Sequence, residues 1–171
     1  MSTEQGAAPR WRRWLIELSI FLVALAAFQI WQVRNAARGP APEVAAHQLD
    51  GSPVHIPDRH DGQATLLYFW ADWCPVCRTT AGNVTALAAD WPVTSIASQS
   101  GDAAAIAHVM RERGYAWPTV PDSSGDIRKR YGLPGFPAFV VVAPDGDIRF
   151  VSLGYTSELG LRLRLWWASH T

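Results

Sequence analysis

The sequence predicts an α/β domain with a mixed central sheet flanked by helices, preceded by an N-terminal transmembrane helix. Three observations carry that prediction. A twenty-residue apolar run, Trp14 to Val33, stands near the start. Further on, short runs that are apolar throughout, as buried strands are, alternate with helical patterns. Finally, Pro144-Asp145-Gly146-Asp147 is a strong turn between two extended segments, so the sheet gains an antiparallel pair.

The first run, WLIELSIFLVALAAFQIWQV, would rise roughly 30 Å as a helix, about the thickness of a bilayer core. Trp11 and Trp14 mark one end and Trp31 the other, as an interfacial belt does, and Glu17 lies close enough to the start to reach head groups. Three arginines precede the run and two succeed it. The positive-inside pattern therefore places residues 1–13 in the cytoplasm, 14–33 in the membrane and the remainder across it. A cleaved signal peptide would have a shorter apolar region, although Ala36 and Ala37 leave a cleavage site open. Both readings export the C-terminal part of the chain, and a soluble helix is rarely apolar on every side. Residues 34–43 are small and Pro-containing and read as a linker, with a folded domain over 44–171.

Charge and composition then narrow the function. The 171 residues hold 15 basic and 15 acidic side chains, a net charge of zero. That zero hides an asymmetry: residues 1–38 carry five arginines against two glutamates, while the rest carries ten basic and thirteen acidic residues. A basic surplus of the nucleic-acid-binding kind is missing. Only two cysteines occur, three apart, so they cannot staple distant loops.

The elements can be taken in order. Ala45–Leu49 and Pro53–Ile56 flank Asp50-Gly51 as a hairpin, and TLLYFWA over Thr65–Ala71 reads as a strand buried on both faces. Pro75–Asp90 is expected as a helix with Val76, Val84, Leu87 and Ala88 inward, and Val93–Ser98 as the next strand. Asp102 can cap a helix to about Arg113 with Ala105, Ile106 and Val109 inward. A short extended piece at Trp117–Val120, a short helix near Asp126–Tyr131, and a buried strand at Ala138–Ala143 come next. Ile148–Gly154 returns antiparallel to that strand. Ser157 caps a last helix to Trp167, with Leu159, Leu163 and Trp166 or Trp167 inward. Strand–helix–strand alternation implies parallel strands joined by right-handed crossovers.

Cys74-Pro75-Val76-Cys77 falls just after a buried strand and opens a helix. Unpaired N–H groups and the helix dipole stabilise an anion there, so a thiolate at that point has a lowered pKa and is the nucleophile. Two intervening residues let the second sulfur reach the first within one turn. Cys74, at the turn, is then the attacking thiol, and Cys77, one turn in, resolves the mixed disulfide. Pro75 fits the first helical turn, where its missing N–H costs little. Two other roles stay open at this point. The pair could be an inert disulfide, or two thiolates could hold a soft ion such as Cu(I). A four-ligand zinc site finds no second motif among the five histidines.

The stretch Tyr68-Phe-Trp-Ala-Asp-Trp-Cys-Pro-Val-Cys-Arg78 resembles the F-W-A-x-W-C-x-x-C signature of the thioredoxin superfamily. Downstream, Tyr131-Gly-Leu-Pro-Gly-Phe-Pro137 continuing into AFVVVAPDG is similar to the family's cis-proline loop and next strand. The likeness runs over about residues 44–168. The hairpin before the first core strand and the anchor resemble the TlpA/DsbE-like branch. The resemblance implies a thioredoxin-like fold and a protein-disulfide oxidoreductase with no cofactor beyond its redox-active Cys74–Cys77 disulfide. It also implies that Pro137 is cis and faces the disulfide, and that Phe136 offers backbone groups to an extended substrate. Trp73, Pro75 and Val76 beside the cysteines, with Phe136 and Pro137, are the substrate-binding candidates. The partners implied are exported proteins with thiols or disulfides, and an inner-membrane electron donor or acceptor.

The chain departs from the family at several positions. Tyr68 stands where thioredoxin has a buried aspartate, and Val93–Ser98 offers no charge to pair with one. Resolution would then use water or Tyr68 itself. No histidine lies between the cysteines, which leans towards the reducing direction. Gly82 replaces a helix-kinking proline, and Ala138 the commoner threonine.

Overall fold

The computed structural model describes residues 10–58, 60 and 62–171. The first nine residues of the expected cytoplasmic N-terminus lie outside the described residues, as do the side chains at 10, 26, 29, 30 and 32. The chain forms two units, Met1–Arg34 and Asn35–Thr171.

The first unit is helix α1, Arg10–Gln32. Its 23 residues rise about 35 Å at roughly 1.5 Å each. The described apolar side chains from Leu15 to Phe28 are exposed all round it, so no single face is set aside for a protein core. Ser19 returns its hydroxyl to Leu15 O at 2.7 Å, which satisfies the polar group within the helix. Among the described residues, which leave out those side chains of α1, no helix is long and apolar enough to cross a membrane.

The second unit carries the rest. In chain order its elements are β1 (Gly39–Pro40), β2 (Val44–His47), β3 (Pro53–Ile56), β4 (Thr65–Trp70) and α2 (Pro75–Leu87). Then come β5 (Val93–Ser98), α3 (Ala103–Arg113), β6 (Thr119–Asp122), α4 (Asp126–Arg130), β7 (Ala138–Val142), β8 (Asp147–Leu153) and α5 (Glu158–Ser169). Six strands form one sheet in the order β1-β8-β7-β4-β5-β6, and β2 and β3 form a separate hairpin. Strands β4, β5 and β6 are parallel, whereas β7 and β8 run antiparallel, so the sheet is mixed.

Every residue of β4, β5 and β7 is buried, which is why these strands read as unbroken apolar or small runs. Tyr68 and Trp70 join α2, α3 and α5 in one core through Val84, Leu87, Ile106, Leu161 and Leu165. On the other face Phe69 packs its ring 5.3 Å from that of Tyr131, whose hydroxyl donates to Pro42 O. The segment expected as a linker thus supplies Ala36 and Ala41 to the interior and β1 to the sheet edge, with Gly39 opposite Ile148. Gly132, at φ +63°, lets this segment approach; a Cβ there would collide with Asn35 O.

Several inward assignments need correction. In α2 the buried residues are Cys77, Thr80, Ala81, Val84 and Leu87; Val76 is exposed, and Ala88 lies past the helix end. In α3 Ala105 is exposed, whereas Ile106 and Met110 are buried. In α5 the inward residues are Leu161, Leu165 and Ala168, while Leu159, Leu163, Trp166 and Trp167 are exposed. With that rotation Arg162 reaches Ala86 O in α2 and Asp90 just past its end, and also pairs with Glu158 one turn back in α5. Strand β6 begins at Thr119 rather than Trp117, because the Trp117 ring turns into the core against Tyr115 and Tyr68.

Candidate functional site

Strand β4 ends at Trp70, and the chain turns through Ala71-Asp72-Trp73 before α2 begins. Two hydrogen bonds from distant segments hold that turn. Asp72 N–H donates to Ser100 Oγ at 3.0 Å, and Arg113 Nη2 donates to Asp72 O at 3.1 Å. Cys74 is the N-cap of α2 and Pro75 occupies the first turn. The Cys77 N–H donates to Cys74 Sγ at 3.1 Å. In the reduced protein that N–H and the helix dipole both favour a thiolate on Cys74.

Cys74 and Cys77 are joined as a disulfide, with Cα atoms 5.2 Å apart. Cys74 is 5% exposed and Cys77 2%, so Cys74 is the more accessible, as expected, by a small margin. The rim is open: Trp73, Pro75 and Val76 are all exposed. The Phe136–Pro137 bond is cis, and Pro137 O accepts from Gly154 N–H at 2.8 Å, which ties the loop to the strand end. Phe136 meets Trp73 edge to face at 5.7 Å between ring centres. The structure therefore brings Trp73 and Phe136 into contact across the two motifs. Trp73 Nε1 donates to Gln99 O, a residue held at φ +52°.

Behind Cys77 lies Tyr68. Its hydroxyl donates to Cys77 O at 3.1 Å and sits 3.4 Å from Thr80 Oγ1. Burial pushes the Tyr68 phenol well above its ordinary range, with a small opposing contribution from Thr80. The Tyr68 hydroxyl is thus engaged by the main-chain carbonyl of the resolving residue. The polar groups of β5 are spent elsewhere. Ser95 Oγ accepts from Trp70 Nε1 and bonds Thr119 Oγ1, and Ser98 Oγ donates to the buried Asp122 carboxylate. Asp122 also accepts N–H bonds from Ile127 and Arg128, fixing the start of α4.

Sequence reasoning missed four residues that shape this region. Ser100, Gln99 and Arg113 hold the turn before Cys74, and Arg128 places its guanidinium 5.4 Å from the Phe136 ring centre. All four lie in segments 22 or more residues after Cys77 and carry no local signature; only the crossovers bring them near. Among the described residues no group of three or more His, Cys, Asp or Glu is placed to hold a metal ion.

The model of the AhpC/TSA family matches residues 37–151. A thioredoxin-like protein of Haemophilus influenzae is 31% identical over 157 residues, covering 88% of this chain and 92% of that one. The thiol:disulfide interchange protein DsbE of Allochromatium vinosum is 32% identical over 157 residues, covering 84% of each chain. A solved structure of a secreted Mycobacterium tuberculosis disulfide oxidoreductase superposes with a TM-score of 0.63 at 28% identity, over 72% of this chain and 95% of that one.

Proposed function

The chain belongs to the AhpC/TSA family and is a thioredoxin-like protein-disulfide oxidoreductase of the DsbE type, and on that premise we propose that it works anchored in the bacterial inner membrane on exported proteins. The observation that carries the reading is the Cys74–Cys77 pair at the start of α2, with the Cys77 N–H on Cys74 Sγ and the Phe136 ring, before cis Pro137, against Trp73. Cys74 thiolate attacks a substrate disulfide. One substrate sulfur leaves as thiolate while Cys74 is held in a mixed disulfide. Cys77 thiolate then attacks Cys74, freeing the second substrate thiol and leaving the pair oxidised. Two electrons pass to the substrate, and the reverse sequence oxidises it. Trp73, Pro75, Val76, Phe136 and Pro137 form the substrate-facing rim.

The direction we favour is reduction, because no histidine lies between the cysteines. A membrane electron donor must then re-reduce the pair. Anchoring is supported by the apolar run Trp14–Val33, its flanking arginines and tryptophans, and the exposed apolar surface of α1. Residues 1–13 would be cytoplasmic, 14–33 transmembrane and 44–171 periplasmic. Within the branch, the sequence resembles the anchored proteins called suppressor for copper sensitivity protein D. A copper role would rest on the two sulfurs alone.

Alkylation trapping in intact cells tests direction: a mostly reduced pair supports a reductase, and a mostly oxidised one contradicts it. Protease treatment of spheroplasts tests placement: the C-terminal domain must be cleaved from outside. Stoichiometric Cu(I) retention against a strong chelator, with slow disulfide exchange, would favour the copper reading.

A further inference from the structure

Trp73 stands beside the redox pair as an exposed side chain, yet it is pinned at two points. Its Nε1 donates to Gln99 O at 3.1 Å, and its ring meets that of Phe136 edge to face. Phe136 is held in turn by Arg128 of α4, whose guanidinium carbon lies 5.4 Å from the ring centre, within cation–π range. Arg128 grips the same loop at a second place: its Nη1 donates to Leu133 O, and the Leu133 N–H donates to Arg128 O at 3.3 Å. Among the described residues Arg128 Nε is buried with no hydrogen-bond partner. Giving up a donor is unfavourable, so the Phe136 ring and Leu133 O are what keep the guanidinium in place.

These contacts close on themselves. The Arg128 N–H donates to the buried Asp122 carboxylate at 3.1 Å, and the Gln99 N–H donates to Asp122 O at 3.0 Å. Asp122, Arg128, Phe136, Trp73 and Gln99 thus form a ring of contacts that begins and ends on Asp122. Gln99 makes both of its bonds from a backbone at φ +52°, which a non-glycine residue rarely adopts.

We propose that Arg128 is a positioning residue for the exchange: by fixing Phe136 it fixes Trp73, and so presents a ready-made wall to the substrate segment approaching Cys74. The proposal rests on the thiol–disulfide reading of this site and adds to it a residue that acts only through Phe136. A side chain already fixed costs less to order when substrate binds, and ordering one large side chain is worth about two- to tenfold in affinity. A disulfide too small to reach the wall gains nothing from it. Arg128 therefore bears on substrate capture, and the chemistry at sulfur belongs to Cys74 and Cys77.

The test reads kcat and KM of the full-length protein with dithiothreitol as reductant and two disulfides, an extended disulfide-linked peptide and hydroxyethyl disulfide. Arg128→Met should raise KM for the peptide about fivefold with kcat held within about twofold. The rate with hydroxyethyl disulfide should move by less than about twofold. In a Phe136→Leu background, where the ring is already gone, Arg128→Met should add less than about twofold to the peptide KM. Arg128→Lys keeps the charge without the flat fork and should leave the peptide KM raised about threefold; it carries the test if Arg128→Met does not fold. An unchanged peptide KM, an equal loss with both disulfides, or an undiminished effect in the Phe136→Leu background overturns the proposal. If the native chain outpaces Cys74→Ser on neither disulfide, the thiol–disulfide reading itself fails, a result distinct from an unchanged KM.

Discussion

Replacing Tyr68 with Phe removes one hydroxyl from directly behind the resolving cysteine. The ring stays where it is, stacked on Phe139 at 5.1 Å and edge-on to Trp117 at 6.1 Å, so the apolar packing survives. The loss is the 3.1 Å bond to Cys77 O. That carbonyl keeps a second donor, Thr80 Oγ1 at 3.1 Å, so it is not left unpaired. The cost is therefore that of one ordinary hydrogen bond, about 1 kcal/mol, rather than the larger penalty of an orphaned buried group. For a unit of this size that is a fall of roughly 4 °C in Tm. Exchange should be almost untouched, because the hydroxyl donates to the main-chain carbonyl of Cys77, which takes no part in the exchange at sulfur. Stopped-flow reduction of a model disulfide, with urea unfolding in parallel, separates the two effects. A proton-transfer role would show as a rate loss of about 10²-fold or more at intact fold. That loss, in a variant destabilised by only about 1 kcal/mol, would refute the assignment of Tyr68 as a passive donor.

Other outcomes rest on the same kind of contact. Burial raises the pKa of both Tyr68 and Tyr131, the latter with help from Glu43, so both stay neutral when folded at a pH where the unfolded chain ionises. Their contribution to stability is full below about pH 10 and falls as pH rises beyond it, the unfolded state then binding fewer protons. Tm measured from pH 8 to 11 should bend downward near pH 10, and less so in Tyr68→Phe. Gly132→Ala must hold a side chain at φ +63° and push its Cβ into Asn35 O, so urea unfolding should report about 3 kcal/mol of lost stability. Gly135→Ala meets no atom within 4 Å and should cost under about 1 kcal/mol. Asp102→Ala loses the N-cap bond to Ala105 N–H, now 2.8 Å, at a cost of about 1 kcal/mol with no change in exchange rate.

Some of this molecule was readable from the residues and some was not, for physical reasons. Strands β4, β5 and β7 are buried on both faces, so their sequences are apolar or small throughout, and their positions were legible to within a residue. The caps Asp102 and Ser157 were legible because capping is local chemistry. Helix α5 is legible in position but not in rotation. Leucine or tryptophan occupies positions 159, 161, 163, 165, 166 and 167, so periodicity alone selects no face. Packing of Leu161, Leu165 and Ala168 into the core, with Arg162 reaching Ala86 O and Asp90, sets the face, and these contacts exist only in the folded unit. Strand β1 is two residues long and contains a proline; its pairing with β8 defines it, not its own pattern. At the site the cysteines, Trp73 and Pro137 announce themselves through short motifs. Ser100, Gln99, Arg113 and Arg128 do not, because tertiary contacts alone give them their places.

That Cys74 attacks and Cys77 resolves is tested most directly by single serine variants. Each cysteine is replaced in turn, the protein is offered a disulfide-bonded substrate, and intact mass is read after acid quench. Cys77→Ser is expected to accumulate a mixed disulfide through Cys74, while Cys74→Ser forms none at a comparable rate. Rapid adduct formation on Cys77 in Cys74→Ser, or no adduct in Cys77→Ser, would contradict that assignment.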